Sequence, residues 1–202
     1  LEQIDYRTPI KFGGRVVKDV TLLNVRVEVE TRDGRTGRGF GSMPVGNAWG
    51  WPSHQVDGEQ TLDAMVQLGE RIARLLADYQ DQGHPLEIMH DLAGHYQGLA
   101  DEVNRAASID ESMPRLAQLV AASPTDGAVH DALGKALGEN SYNLLGADHL
   151  NRDLGHYLGD DFSGHYLDQY TLRTPQESMP LYHLVGALDP LTDAELESRL
   201  DD

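Results

Sequence analysis

Residues 123–138, SPTDGAVHDALGKALG, decide the reading of this chain, together with Leu144, Leu145 and Gly146 just behind them. Ser123 is placed as an N-cap, Pro124 suits a first helical turn, and Asp126 stands three residues on as a capping-box acid. Ala128, Val129, Ala132, Leu133, Ala136 and Leu137 then recur at helical spacing and give one apolar face. His130, Asp131 and Lys135 fall on the exposed remainder, and Gly138 is placed to end the helix. Small residues dominate the buried side, so this helix can approach its neighbours closely. It reads as a docking helix.

Upstream, residues 1–8 read as a strand and residues 9–17, PIKFGGRVV, as a loop, because Pro9 and Gly13-Gly14 punctuate them. Residues 20–31 alternate, with Val25, Val27 and Val29 on one face and Asn24, Arg26, Glu28 and Glu30 on the other, as a half-buried strand does. Asp33-Gly34 signals a tight turn. Residues 35–42 return as a strand in which Gly37, Gly39 and Gly41 point to close approach by other backbone. Residues 43–58 are a Gly- and Pro-rich loop carrying both tryptophans, which predicts that Trp49 and Trp51 cover something. Helices follow over about 59–81, 86–107 and 113–122, the first broken by Gly83-His84-Pro85. The order gives an α+β layer: a small antiparallel sheet of about three strands, then a helical bundle.

Downstream the character changes. Residues 147–176 are polar and aromatic with no clear period, and read as a long excursion with room for short helical turns. Residues 179–186, MPLYHLVG, form a mostly apolar run that reads as a buried parallel strand. Residues 191–200 read as a helix, with Thr192 as N-cap and Glu195 as its capping-box partner.

Composition sets bounds. The chain has 202 residues, 16 Lys plus Arg against 33 Asp plus Glu, and a net charge of −17. That balance argues against a nucleic-acid backbone or an anionic membrane as partner, since both need a basic surface. Zero cysteines exclude disulfides, thiolate catalysis and Cys-ligated metal sites, and fit a cytoplasmic location. No apolar run approaches the ~18 residues that span a bilayer. The start at Leu1, without an initiator Met or a signal peptide, suggests that the true start lies upstream.

The H-D-A-L-G-K-A-L-G core at 130–138, the L-L-G at 144–146 and the order of elements around them resemble the enolase superfamily. The likeness is closest to its mandelate racemase and muconate lactonizing enzyme branch and runs through nearly the whole chain. It implies a capping domain over 1–122, a docking helix over 123–146, the excursion over 147–178, and over 179–202 the first βα unit of an incomplete (β/α) TIM-type barrel. It also implies a Mg²⁺-dependent dehydratase or racemase that abstracts a proton α to the carboxylate of a hydroxy acid or acid sugar, commonly as a homo-oligomer. The family's metal-binding acids and its catalytic Lys or His lie on later barrel strands, so no catalytic or metal residue is transferred here. A single βα unit cannot make a barrel, and the piece alone is expected to be inactive. By position, two capping loops match residues 9–17 and 43–53. On them Lys11 and Arg15 could pair with a substrate carboxylate, while Asn47, Trp49 and Trp51 could contact a sugar-acid backbone or wall the pocket.

Blander readings stand beside these. Lys11 and Arg15 can be solvated, and the tryptophans can pack as structure. His90 and His95 are five apart and miss the spacing of two ligands on one helix face. His149, His156 and His165 with Asp160 and Asp161 read as loop residues bonded locally or to a neighbouring subunit, rather than as a metal cluster. His130-Asp131 reads as structural hydrogen bonding rather than a catalytic dyad, and His183 inside the apolar run earns a flag. The rival function is a non-catalytic ligand- or protein-binding α+β module. A metal-storing acidic protein comes third.

Overall fold

The computed structural model describes residues 1–12, 15–182, 185–186 and 189–195, without the side chains of residues 7, 8, 12 and 15. Three antiparallel strands, β1 (Glu2–Phe12), β2 (Arg15–Glu30) and β3 (Thr36–Pro44), lie in the order β1-β2-β3. The α+β class and the small antiparallel sheet are as the sequence predicts. The expected loop at 9–17 is corrected: Ile10 pairs with Val17, Lys11 with Val16 and Phe12 with Arg15, so the hairpin runs almost to its tip. Pro9 is tolerated because β1 is an edge strand and its register shifts between Asp5 and Ile10. At the other hairpin Gly34 takes φ +79, the left-handed turn that Asp33-Gly34 signals.

Helices cover one face of this sheet. They are α1 (Asn47–Gly50), α2 (Gly58–Ala77), α3 (Pro85–Ala93), α4 (Tyr96–Ala106) and α5 (Arg115–Leu137). The single helix expected over 86–107 is two, parted at Gly94-His95. The helix break at 122/123 is also corrected. Arg115–Leu137 is one continuous helix with Pro124 inside it, and the hydroxyl of Ser123 donates back to the Leu119 carbonyl (2.8 Å) rather than capping forward. Gly138 ends the helix in the left-handed conformation, as its position suggests.

The join between α5 and β3 fixes the architecture. Gly37, Gly39 and Gly41 recur every second residue on β3, about 6.7 Å apart. Pro124, Ala128, Ala132 and Ala136 recur every fourth residue on α5, about 6 Å apart. The two rows mesh. A methyl on Gly39 would fall on the Ala128 carbonyl, one on Gly37 on the Ala132 carbonyl, and one on Gly41 on the Pro124 carbonyl. Val25, Val27 and Val29 stand directly across the ladder from these glycines and wall the trough. The main core sits beside it, where Trp51, Met65, Leu68, Ile72, Tyr96 and Met113 are almost fully buried.

After α5, residues 141–170 carry three short 3-10 turns and one helix, α6 (Leu154–Leu158). Of these, α6 and the turns at Asp160–Phe162 and Leu167–Gln169 fall in the expected excursion of 147–176, whereas the turn at Ser141–Leu144 falls where the docking helix is expected to continue. The barrel strand expected at 179–186 is not formed by its described residues: 179–182 and 185–186 are in neither strand nor helix, and Leu181 is 97% exposed. A buried parallel strand needs paired neighbours, and the three-stranded sheet provides none for it. His183 lies outside the described residues. At 191–195 the Glu195 carboxylate accepts from the Leu191 and Thr192 amides (2.7 and 3.1 Å), which is the Glu195 half of the expected capping box, and Asp193–Glu195 is a 3-10 turn; residues 196–200 lie outside the described part. No helix among the described residues is long and apolar enough to cross a membrane.

Candidate functional site

The end of the sheet nearest the first hairpin meets α1 at a small cleft of about 150 Å³. Tyr6 and Ile10 of β1, Asp19 and Thr21 of β2, and Asn47 and Trp49 of α1 are among its walls. Asp19 and Thr21 reach it because alternate β2 residues face the helices, and their register partners Asp5 and Gln3 share that face. Two carboxylates set directly opposite would repel. Gln3 braces Asp19 and Thr21, donating to Asp19 (2.7 Å) and accepting from the Thr21 hydroxyl (2.8 Å). The volume falls well below the roughly 300–1,000 Å³ of a site that encloses a drug-sized ligand. The cleft is therefore suited to be one wall of a larger site.

The five residues singled out from the sequence part company here. Trp49 is 38% exposed and presents its ring to the cleft, packed over Gly46. Asn47 also lines it, yet its side-chain amide faces inward and donates to the Gly58 carbonyl (2.7 Å) and the Thr61 hydroxyl (3.0 Å), tying α1 to the first turn of α2. Lys11 is exposed, one residue beyond Ile10, and is not among the cleft's described walls. Arg15 opens β2 opposite Phe12, and its side chain is outside the described part. Trp51 is a correction. It is 1% exposed, and its indole donates to Glu111 (2.7 Å), which Ser53 also reaches (2.7 Å). These two bonds hold the Glu111 carboxyl below its ordinary range. Trp51 is core.

His130 packs against His84 and stands 3.8 Å from Asp126, without a hydrogen bond to Asp131. Asp131 accepts from the Phe40 backbone amide (2.8 Å) and from Lys135 (2.6 Å), closing the open edge of β3 rather than orienting His130. His165 pairs locally with the Tyr170 hydroxyl (2.8 Å). Among the described residues no group of three or more His, Cys, Asp or Glu is placed to hold a metal ion. The described residues thus do not themselves fit a Mg²⁺ site.

Two polar groups matter that the sequence reading did not single out, His84 and Glu87. His84 caps α3, its Nδ1 accepting from the Leu86 amide (3.1 Å), while Glu87 returns the capping box by accepting from the His84 amide (2.9 Å). Glu87 also accepts from the Asn151 amide (2.7 Å), the Asn151 side chain (2.6 Å) and the Arg152 amide (3.0 Å). Burial alone would raise its carboxyl; the backbone and Asn151 bonds outweigh that and hold it below the usual carboxylate range. The H-P-x-E spacing at 84–87 was the available signal for the cap. Nothing local announces partners 64 residues away.

No family model matches the chain, and no curated protein or solved structure matches it.

Proposed function

We propose that this chain is the N-terminal, substrate-capping part of a Mg²⁺-dependent enolase-superfamily enzyme, a dehydratase or racemase acting on a hydroxy acid or acid sugar. The observation that carries the reading is the convergence of the first hairpin and α1 on one shallow cleft, with Trp49 on its rim and Lys11 one residue along the hairpin from the cleft-lining Ile10. A lid needs such a surface: an apolar ring to exclude water and a cation within reach of a carboxylate. Asp19 inside the cleft disfavours a bare anion there, so the hydroxylated portion of a ligand belongs against Asp19 and Thr21 and its carboxylate toward Lys11. On this reading catalysis and metal binding belong to a barrel outside these 202 residues, and subunit contacts to the exposed aromatic segment after Gly146.

The test is the intact mass of the native protein, followed by a Mg²⁺-dependent screen of acid sugars. The expected result is a mass above 22.3 kDa by roughly a 250-residue barrel, with turnover. Trp49→Ala and Lys11→Ala should then raise KM more than they lower kcat. One observation favours the rival binding module: the described part of 179–186 is exposed and unpaired. A native mass of 22.3 kDa with no turnover, but with ligand-dependent emission lost in Trp49→Phe, would establish that module instead.

A further inference from the structure

A second seam in the molecule is built from titratable groups. Residues 149–157 lie against α3, held by three bonds from Asn151 and Arg152 to Glu87, whose carboxylate also accepts from the His84 amide of its own helix. Farther along, Arg152 reaches Asp91 (3.3 Å) and donates to His156 Nε2 (3.1 Å), and the rings of His90, His156 and Tyr157 meet edge to face. At the other end His84, 4% exposed, packs edge-on against His130 of α5 with centroids 5.5 Å apart. His84 Nε2 is buried with no well-formed hydrogen bond, although the Leu144 backbone lies near the ring and favours its protonated form.

We infer that this seam is an acid-opened latch, with His84 as the group whose protonation releases residues 149–157 from α3. The geometry gives three reasons. Nδ1 of His84 serves as a helix cap only as an acceptor, so a doubly protonated ring surrenders the bond to Leu86. The new charge would sit at the N-terminus of α3, where the helix dipole already presents its positive end. It would also face the imidazoles of His130 on α5 and His149 on the following segment. Two carboxylates oppose this: Glu87 on α3 itself and, one residue further out, Asp126, 3.8 Å from His130. Burial outweighs them, and with His130 it brings the His84 imidazole down from its ordinary 6.5 to about 4. Loss of the cap then reaches the latch through Glu87, which is shared by both.

The sign follows from linkage. A buried imidazole held neutral contributes stability that is complete above its ordinary value and is lost as pH falls from about 6.5 toward 4. Glu87, held low, gives way only in stronger acid. The experiment is hydrogen exchange of the full chain near pH 7 and near pH 5, corrected for intrinsic rates. Amides of 149–158 and the first turn of α3 should lose about tenfold or more in protection, with α2 and β2 unchanged. His84→Asn keeps a cap acceptor that does not titrate, and should hold the segment closed at the lower pH. Protection that falls evenly over the chain, or not at all, overturns the inference in the wild type alone. Opening in His84→Asn that equals the wild type's also overturns it.

Discussion

The two seams that hold elements onto the helical layer are opposite solutions. Where α5 meets β3, glycine faces alanine, backbone lies on backbone, and one carboxylate, Asp131, is the polar contact. Where residues 149–157 meet α3, the contacts are hydrogen bonds and aromatic rings, and Leu150 and Leu154 of the same segment are buried beside them. The first seam draws on close packing, which has no room for an added atom but is indifferent to pH. The second adds to two buried leucines a set of donors and acceptors that water can replace. An injury to the first must be borne by the whole domain, whereas an injury to the second can be relieved by letting one segment go.

The largest expected effect is therefore Gly39→Val. Its side chain would overlap the backbone of α5 at Ala128 and Ala132, and neither strand nor helix can give way without unseating the core. Overpacking of this kind costs about 3 kcal/mol or more, read as a fall in Tm of roughly 6–12 °C for a domain of this size. Thr36→Val on the same strand, pointing outward, should stay within about 0.5 kcal/mol. Equal losses in the two variants would mean that strand propensity, not the meshing, sets the stability. Glu87→Ala comes next. It strips acceptors from four donors, each of which would cost about 1–3 kcal/mol if left buried. Because the segment can lift into water, the global loss should stay near 2 kcal/mol or below. Exchange protection of 149–158 should vanish already at neutral pH. A Tm loss matching that of Gly39→Val would show that the second seam is not separable.

The same contrast explains what could be read from the chain. Gly37, Gly39 and Gly41 with the small face of 123–138 announced the first seam, because strand and helix periods are local and their match needs only composition. What misled was also local. Ser123-Pro124 has the chemistry of a helix start, yet the helix runs through it. A proline in mid-helix loses a hydrogen bond, and here the Pro124 carbonyl is packed against Gly41 as part of the docked face. Pro9 and Gly13-Gly14 signalled a loop where a shifted register carries the strand onward. Trp51 looked like a site residue because its partner, Glu111, lies 60 residues away. Of the candidate cleft, Trp49 and Asn47 were legible from the tryptophan-bearing loop. Asp19 and Thr21 were not, since only the fold turns their strand face toward α1.

The smallest effects belong to the polar contact of the first seam, and they sharpen the comparison most. Asp131 joins two partners of unequal worth: the Phe40 amide at the open edge of β3, and Lys135 one turn along the same helix. The lysine bond first, and then the Phe40 amide, hold the Asp131 carboxyl below its ordinary range. A depressed carboxylate contributes stability above its ordinary 3.8 that is lost as pH falls through the lower folded value, so this contact is silent between pH 6.5 and 4, where the other seam opens. Asp131→Ala leaves an edge amide without its acceptor and should cost about 1 kcal/mol. Lys135→Ala removes only an exposed pair four residues apart and should cost about 0.3–0.5 kcal/mol. Chemical denaturation of both variants and the double mutant separates the two shares. If Lys135→Ala costs as much as Asp131→Ala, the carboxylate works through the helix surface and not the sheet edge, and the first seam would depend on salt as it is expected not to.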